Sequence, residues 1–200
     1  MEKKRDEKNI FSLIQNRAVG IMPTDTVYGL VASALDEKAV SKIYKIKKRD
    51  EKKPFIILIS SFKDLELFDI RLERKILNII KKIWPNKVSV ILPCKKKKFF
   101  YLHRGKGSLA FRMPKQKKLL NILNKTGPLA STSANLSGQL PAKNIKEAEK
   151  YFGRKVDFYI DGGELNNTPS TIISIKRNRF LIIRDGSVNI DKFFKTSIEK

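Results

Sequence analysis

Cysteine, histidine and tryptophan are almost missing from this chain of 200 residues, which has one of each. A single cysteine, Cys94, excludes a disulfide within the chain. One cysteine and one histidine, His103, are also too few for a zinc site made of these two ligand types. We therefore expect Cys94 and His103 to be structural.

Long apolar runs are missing as well. No stretch approaches the roughly 18 apolar residues that a membrane-spanning helix needs. The first eight residues are mostly charged and lack the apolar region of a signal peptide. We therefore expect a cytoplasmic protein without membrane association. The length and the 41% of apolar residues predict one domain over residues 1–200, with a substantial core.

Acidic residues are much less frequent than basic residues. The chain has 20 Asp and Glu against 43 Lys and Arg, which gives a formal net charge of +23. This charge attracts phosphates, either of nucleic acids or of small anionic substrates. Only 11 of the basic residues are Arg, and Lys lacks the bidentate fork with which Arg recognises phosphate. The excess of Lys also fits an AT-rich coding bias, so the charge alone leaves both kinds of partner open.

Helical and strand patterns alternate along the chain. Apolar spacing predicts helices at residues 3–16, 36–48, 71–84, 115–125 and 144–152, with Asp36 and Asn144 as caps. Apolar runs predict strands at residues 18–22, 55–60, 88–92, 108–113, 128–130 and 156–160, and a hairpin of residues 171–175 and 179–183. This alternation predicts an α/β fold with a twisted mixed sheet and flanking helices.

Two polar stretches follow predicted strands and have the composition of ligand-binding loops. The first runs from Pro23 to Leu30. The second runs from Ala130 to Gly138 and carries four hydroxyls, one carboxamide and no charge. Small side chains let the backbone approach a ligand, and hydroxyls and amides both donate and accept hydrogen bonds. A solvated turn or a capped connection has a similar composition, so a binding pocket is one of two interpretations.

Two groups of basic residues also have more than one interpretation. Lysines at residues 95–98 precede three aromatic residues, an arrangement found in platforms for single-stranded nucleic acid. We favour a solvated loop whose aromatic side chains fold onto the core. Arg112 is the one charged residue in the predicted strand 108–113. Burying an unpaired Arg is costly, so we expect Arg112 to be paired or to face an anionic ligand.

Several motifs occur in a fixed order. They are Pro23 to Leu30, Lys47-x-Arg49 with Lys53-Pro54, Trp84-Pro85, Ala110 to Pro114, Ser131 to Gly138, Asp161-Gly162-Gly163 and Pro169-Ser170-Thr171. Together they closely resemble the YrdC family, from about Val19 to Gly186. The chain departs from the usual family pattern at Asn86-Lys87, at Asp50 and at Asn167-Thr168. These departures affect turns and remove no charged group.

Members of the YrdC family are L-threonylcarbamoyladenylate synthases. The resemblance therefore implies that L-threonine, bicarbonate and ATP, with Mg²⁺, are converted to L-threonylcarbamoyl-AMP and pyrophosphate. The product serves N6-threonylcarbamoyladenosine formation in tRNAs that read ANN codons, and separate proteins transfer the threonylcarbamoyl group. The implied fold has a deep, positively charged cavity. No protein nucleophile is needed, because a carbamate oxygen of the substrate attacks ATP, and the chain has no evident catalytic Ser-His or Cys-His pair.

The resemblance also implies roles for individual residues. Thr24 and Tyr28 would lie at the threonine and carbamate end, with Arg112 facing the threonine carboxylate or the carbamate. Lys47 and Arg49 would bind phosphate and carboxylate groups and, together with Arg112, would be catalytic. The nucleotide side would consist of Lys47, Arg49, Lys53, Ser131, Ser133, Asn135, Ser170, Thr171 and Arg184. None of these residues is expected to bind a metal directly.

Two other functions remain open from the sequence. The first is a module that binds double-stranded RNA or tRNA through basic residues around the cavity. The second is a carbamoyl-adenylate synthase that works from carbamoyl phosphate, as do YrdC-like domains of hydrogenase maturation proteins. Such domains sit within longer chains, so we expect the threonine-dependent activity instead.

Overall fold

One nine-stranded sheet runs through the computed structural model, which describes residues 9–50, 52–176 and 179–193. The strands are β1 (Gly20–Pro23), β2 (Tyr28–Ser33), β3 (Ile56–Leu58), β4 (Val88–Pro93), β5 (Ser108–Arg112), β6 (Leu129–Ser133), β7 (Phe158–Tyr159), β8 (Thr171–Lys176) and β9 (Arg179–Arg184). Their order is β7-β1-β2-β6-β3-β5-β4-β8-β9. The pairs β1 with β7, β3 with β5 and β4 with β8 are parallel, and the other pairs are antiparallel. The predicted mixed sheet is confirmed.

The α-helices of the described ranges are α1 (Ile10–Gln15), α2 (Glu37–Lys47), α3 (Arg74–Ile83), α4 (Phe100–His103), α5 (Lys117–Thr126) and α6 (Ile145–Phe152). Both predicted caps are present: Asp36 accepts a hydrogen bond of 2.9 Å from the amide of Ala39, and Asn144 accepts one of 3.0 Å from the amide of Glu147. Each satisfies an amide that has no partner within its helix. The predicted helix at residues 3–16 extends in part outside the described residues.

Helices cover both faces of the sheet. Leu30 and Ala32 of β2 belong to one hydrophobic cluster, whereas Val31 between them belongs to another. Because successive side chains of a strand point to opposite faces, the two clusters lie on opposite sides of the sheet. α1 and α5 pack on the side of Val31, and α2, α3, α4 and α6 contribute to the other cluster. Burial of each Leu or Ile contributes about 1.5–3 kcal/mol to the free energy of unfolding.

Two elements differ from the sequence-based expectation. Residues 28–33 form β2, an interior strand of the sheet, whereas the sequence predicted residues 28–30 as the end of a loop. The Ser-rich stretch is also not wholly a loop, because β6 continues to Ser133 and pairs with both β2 and β3. The small side chains of both segments do not alternate between apolar and polar, which is the pattern that predicts a half-buried strand. Neighbouring strands on each side supply the hydrogen bonds that fix them as strands.

The lysine-rich segment forms a 3₁₀ turn, Lys97–Phe99, that continues into α4. Phe99 and Tyr101 are buried as expected, whereas Phe100 is 57% exposed. Cys94 and His103 are both buried. The predicted hairpin of β8 and β9 is confirmed, although residues 177–178 of its turn lie outside the described part. Across the described ranges, no helix combines the length and apolar character needed to cross a bilayer.

Candidate active site

A cavity lies where the turn between β1 and β2 meets the ends of β3, β5 and β6. Its empty volume is about 670 Å³, part of it open to solvent. Three arginines contribute to its wall, namely Arg49, Arg112 and Arg184. The residues that line it include no carboxylate and several hydroxyls. Anionic groups are therefore the ligands that this wall can stabilise.

Arg49 is held in place from three directions. Its Nε donates to the carbonyl of Lys53 at 3.0 Å, and its terminal nitrogens donate to the carbonyl of Pro54 at 2.9 Å and to the Thr132 hydroxyl at 3.3 Å. Its guanidinium also lies over the ring of Phe55, 5.3 Å from the centroid. A guanidinium has five N–H donors, so two remain without a partner among the described residues. The side chain is therefore fixed before an anion arrives.

Arg112, at the end of β5, is 3% exposed and faces the cavity. Its Nη2 lies 3.0 Å from Oδ1 of Asp25, and both side chains are almost fully buried. The prediction that Arg112 is paired or faces a ligand is confirmed for the pairing. Burial lowers the pKa of Arg112, and the charge of Asp25 opposes this shift. The carboxylate therefore helps to keep a buried guanidinium charged at the cavity wall.

Lys47 is buried at the end of α2 and fixes the residues that follow β6. Its ammonium donates to the backbone carbonyl of Asn135 at 2.9 Å, to the side-chain oxygen of Asn135 at 2.8 Å and to the carbonyl of Ser133. Burial, and then the charge of Arg49, lower the pKa of Lys47 to about 7. The acceptor oxygens favour the charged form. Lys47 thus holds Ser133 in place at the cavity wall without lining the cavity itself.

Asn135 completes this support. Its side-chain oxygen accepts a hydrogen bond of 2.6 Å from the Ser133 hydroxyl, and its amide nitrogen donates to the carbonyls of Leu136 and Gln139. These three contacts join Asn135 to the end of β6 and to the loop that follows it. Asn135 therefore orients Ser133, which does line the cavity.

Thr24 and Tyr28 have different surroundings. The Thr24 hydroxyl donates to the carbonyl of Val27 at 2.7 Å and closes the turn between β1 and β2 against the cavity. The Tyr28 hydroxyl donates to the carbonyl of Gly163 at 2.7 Å and accepts from the amide of Gly162 at 2.8 Å. Tyr28 therefore clamps the Asp161-Gly162-Gly163 loop and does not contribute to the cavity wall within the described residues.

Another part of the cavity wall contains Ser170, which precedes β8. Its hydroxyl lies 2.9 Å from that of Ser89, and its carbonyl accepts a hydrogen bond of 2.7 Å from Arg184. The buried hydroxyl of Ser89 therefore has a partner in Ser170. The Thr171 hydroxyl instead donates to the carbonyl of Val188 at 2.7 Å, behind the wall.

Seven predicted site residues line the cavity: Thr24, Arg49, Arg112, Ser131, Ser133, Ser170 and Arg184. The other five do not contribute to its wall in the described part of the chain: Tyr28, Lys47, Lys53, Asn135 and Thr171. All of these except Lys53 are buried. The side chain of Lys53 is exposed, and its backbone carbonyl orients Arg49.

Comparison with known proteins identifies the family of this chain. The sequence profile of the Sua5/YciO/YrdC family, described as telomere recombination, matches residues 12–186. The chain belongs to this family. A relative from Methanocaldococcus jannaschii is 35% identical over 196 residues, which cover 96% of this chain and 90% of the relative.

A further member, named threonylcarbamoyl-AMP synthase, comes from Pyrococcus abyssi and is 34% identical over 176 residues. The match covers 86% of this chain and 52% of that protein, so the chain spans about half the length of this relative. The crystal structure of P. abyssi Sua5 with L-threonine superposes with a TM-score of 0.86 and 30% identity. That superposition covers 95% of this chain and 56% of the other. The α/β fold predicted from the family resemblance is confirmed.

Some wall residues of this family member were not assigned from the sequence: Thr26, Val27, Gly29, Pro54, Ile56, Thr132, Pro169 and Ile172. Most are neighbours of assigned residues in the same motifs. Asp25 was also not assigned, although a carboxylate between two threonines was visible in the motif. Its partner, Arg112, lies far along the chain, so only the tertiary structure brings the two together.

Proposed function

We propose that this chain joins L-threonine, bicarbonate and ATP into L-threonylcarbamoyl-AMP and releases pyrophosphate. The observation that carries the proposal is the cavity wall of three arginines and several hydroxyls, without a carboxylate among its lining residues. Three substrates that each carry an anionic group must be held together in such a reaction, and this needs positive charge and hydrogen-bond donors. The name of the P. abyssi relative, and the L-threonine bound to Sua5 of that organism, support the same activity.

The reaction needs positioning more than a protein nucleophile. The amine of threonine bonds to the carbon of bicarbonate, whose C–O bond breaks with loss of water, or to that of carbon dioxide, where one C=O π bond opens and the nitrogen gives up a proton. Either route gives a carbamate. An oxygen of the carbamate then bonds to the α-phosphorus of ATP, while the bond from this phosphorus to the leaving pyrophosphate breaks. Holding the reacting groups in line and stabilising the charge that develops are the main contributions of the protein.

The arginines divide between the two ends of the cavity in this proposal. Arg112 binds the carboxylate or carbamate of threonine, near Thr24. Arg49 and Arg184 bind phosphates, with Ser131, Ser133 and Ser170 fixing the orientation of the nucleotide. Each hydrogen bond to a charged group contributes about 1.5–3 kcal/mol, so several are needed to bind ATP and stabilise the transition state. Lys47, Tyr28, Asn135 and Thr171 act through the residues that they hold.

The residues present do not fit a Mg²⁺ ion held by the protein itself. No group of three or more acidic, His or Cys side chains suited to a metal occurs among the described residues, and the cavity wall offers no carboxylate. Mg²⁺ binds oxygen ligands and is often held mainly through substrate phosphates. In this proposal the ion therefore enters with ATP, and no step depends on protein ligands for it.

The product requires later proteins. Threonylcarbamoyl-AMP is an activated acyl donor, so we expect separate proteins to transfer the group to tRNA in the cytoplasm. A direct contact of this chain with tRNA remains a second function, favoured by the net charge of +23.

The test is to incubate the purified chain with ATP, Mg²⁺, bicarbonate and labelled L-threonine and to detect threonylcarbamoyl-AMP by mass. Arg49→Ala and Ser133→Ala are expected to abolish the product while circular dichroism shows an intact fold. Lys45→Ala and Ser137→Ala are matched controls, because both side chains are exposed and lie outside the cavity wall.

Absence of product, with pyrophosphate release no higher than in a reaction without threonine, would contradict the synthase activity. RNA binding that is steeply salt-dependent and survives both cavity variants would favour the RNA-binding module instead. Product from carbamoyl phosphate, with none from threonine, would favour the carbamoyl-adenylate synthase.

A further inference from the structure

The pair of Asp25 and Arg112 is unusual because it is buried but incompletely hydrogen bonded. Their side chains are 5% and 4% exposed, and Oδ1 of Asp25 lies 3.0 Å from Nη2 of Arg112. Both carboxylate oxygens of Asp25 and Nε of Arg112 nevertheless have no hydrogen-bond partner within the described residues. The two groups are thus close enough for a strong charge interaction, but their hydrogen-bonding capacity is largely unused.

Such a pair is costly to keep in a protein interior. Removal of either charge from water is unfavourable, and a buried ion pair recovers this cost only with good geometry and additional hydrogen bonds. Burial raises the pKa of Asp25, and the charge of Arg112 is the largest of the effects that oppose the shift. Arg184 adds a further positive charge near Arg112. Stability of the fold alone is therefore a weak reason for this arrangement.

The two residues differ in their access to ligand. Arg112 lines the cavity, and so do Thr24 and Thr26 on either side of Asp25. Asp25 itself is not among the lining residues. A ligand in the cavity can therefore meet the guanidinium directly but meets the carboxylate only through it.

We propose that Asp25 is a positioning residue, which holds the Arg112 guanidinium at the cavity wall for the anionic end of the amino-acid substrate. This inference rests on the proposed function, in which Arg112 binds the carboxylate or carbamate of threonine. Asp25 offsets the charge of Arg112 before the substrate binds and attracts Nη2, which lies 3.0 Å from its Oδ1. The remaining N–H groups of Arg112 stay available for the substrate.

The test compares Asp25→Asn, Arg112→Gln and the double variant. Asp25→Asn keeps an oxygen near Arg112 but removes the charge. Asp157→Asn is the matched control, because it removes the carboxylate of another ion pair, with Lys42 at 2.6 Å, outside the cavity wall. The synthase assay gives KM for L-threonine and for ATP separately. Urea unfolding of wild type, the two single variants and the double variant measures the coupling of Asp25 and Arg112 without any substrate.

We expect Asp25→Asn to raise KM for L-threonine on the order of tenfold, since an interaction with a charged group is weakened, and to leave KM for ATP nearly unchanged. In the Arg112→Gln background the same substitution should have no further effect on KM. In urea, the double variant should lose less stability than the two single variants together. Asp25→Glu, which keeps the carboxylate, should restore much of the threonine affinity.

Equal increases of both KM values, or an Asp25→Asn effect that persists in the Arg112→Gln background, would overturn the proposal. Additive losses of stability in urea would overturn it as well, as would an Asp25→Glu variant as weak as Asp25→Asn. A wild-type protein that forms no product would contradict the proposed function alone, because the unfolding measurement does not depend on activity. The unfolding measurement would then still show whether Asp25 and Arg112 are coupled.

Discussion

The ammonium of Lys47 lies 2.8 Å from the side-chain oxygen of Asn135 and connects the end of α2 to the loop that follows β6. The same oxygen accepts from the Ser133 hydroxyl at 2.6 Å. One buried cation therefore determines where a wall hydroxyl points, without itself contributing to the wall. This relationship separates residues that would touch substrates from residues that hold them in place.

Lys47→Met is expected to destabilise the protein by about 1–3 kcal/mol, because buried acceptor oxygens lose their donor. Ser133 and Asn135 should also lose their fixed orientation, and synthase activity should fall more than the stability loss explains. Urea unfolding and the product assay measure the two effects. Lys45→Met is the control, since Lys45 lies exposed on the same helix. Equal stability of the two variants would contradict the prediction.

Stability should depend on pH through Lys47. Its pKa is lowered to about 7 in the folded protein, from the ordinary 10.5. Between these values the unfolded chain keeps a proton that the folded chain releases, so the free energy of unfolding rises with pH in this window. Relative to Lys47→Met, the rise is at most about 1.4 kcal/mol per pH unit.

Urea unfolding of wild type and Lys47→Met at pH 5, 6, 7, 8 and 9 tests this, because the window opens at a pKa of about 7. The difference in unfolding free energy between the two proteins should be nearly constant from pH 5 to 6, a range that lies roughly one pH unit or more below that pKa. It should then shift in favour of wild type as pH increases. Parallel curves over the whole range would mean that Lys47 keeps its proton in the folded protein.

Tyr28→Phe should loosen the loop of residues 161–163. The Tyr28 side chain is fully buried, and its hydroxyl serves as donor to Gly163 and acceptor from Gly162. Loss of both bonds should cost about 1–3 kcal/mol of unfolding free energy. Limited proteolysis should also become faster near Gly162. Tyr151→Phe, which loses a single exposed hydrogen bond to Leu140, should change stability by less than about 0.5 kcal/mol. Similar effects of both variants would argue against the clamp.

The elements with strong local signals were predictable from the sequence. Asp36 and Asn144 caps and the apolar spacing of α2 and α6 are decided by nearby residues, and the helices begin where the caps predict. β2 was missed because its Gly and Ala residues carry little strand preference. Its position between β1 and β6 comes from pairing with segments distant in the chain.

The same distinction applies to the site. Arg112 was identifiable from the sequence, because a lone charge in an apolar strand needs a partner. The identity of this partner, Asp25, was not, since the contact forms only when β5 and the turn after β1 meet. The resemblance selected Tyr28 and Lys47 but not the direction of their side chains. Direction depends on hydrogen bonds to loops that follow β6 and β7.

Gly29→Ala should impair substrate binding while the fold persists. A Cβ at this position would lie 3.0 Å from the Ser131 hydroxyl and 3.1 Å from the Thr24 methyl group, and all three residues line the cavity. Both neighbours would have to move, at a cost of about 1–3 kcal/mol, and the cavity would become smaller. We expect higher KM values for ATP and L-threonine, measured in the product assay. Ser33→Ala, on the same strand outside the cavity, should leave KM unchanged, and an equally unchanged KM in Gly29→Ala would exclude this part of the wall from substrate binding.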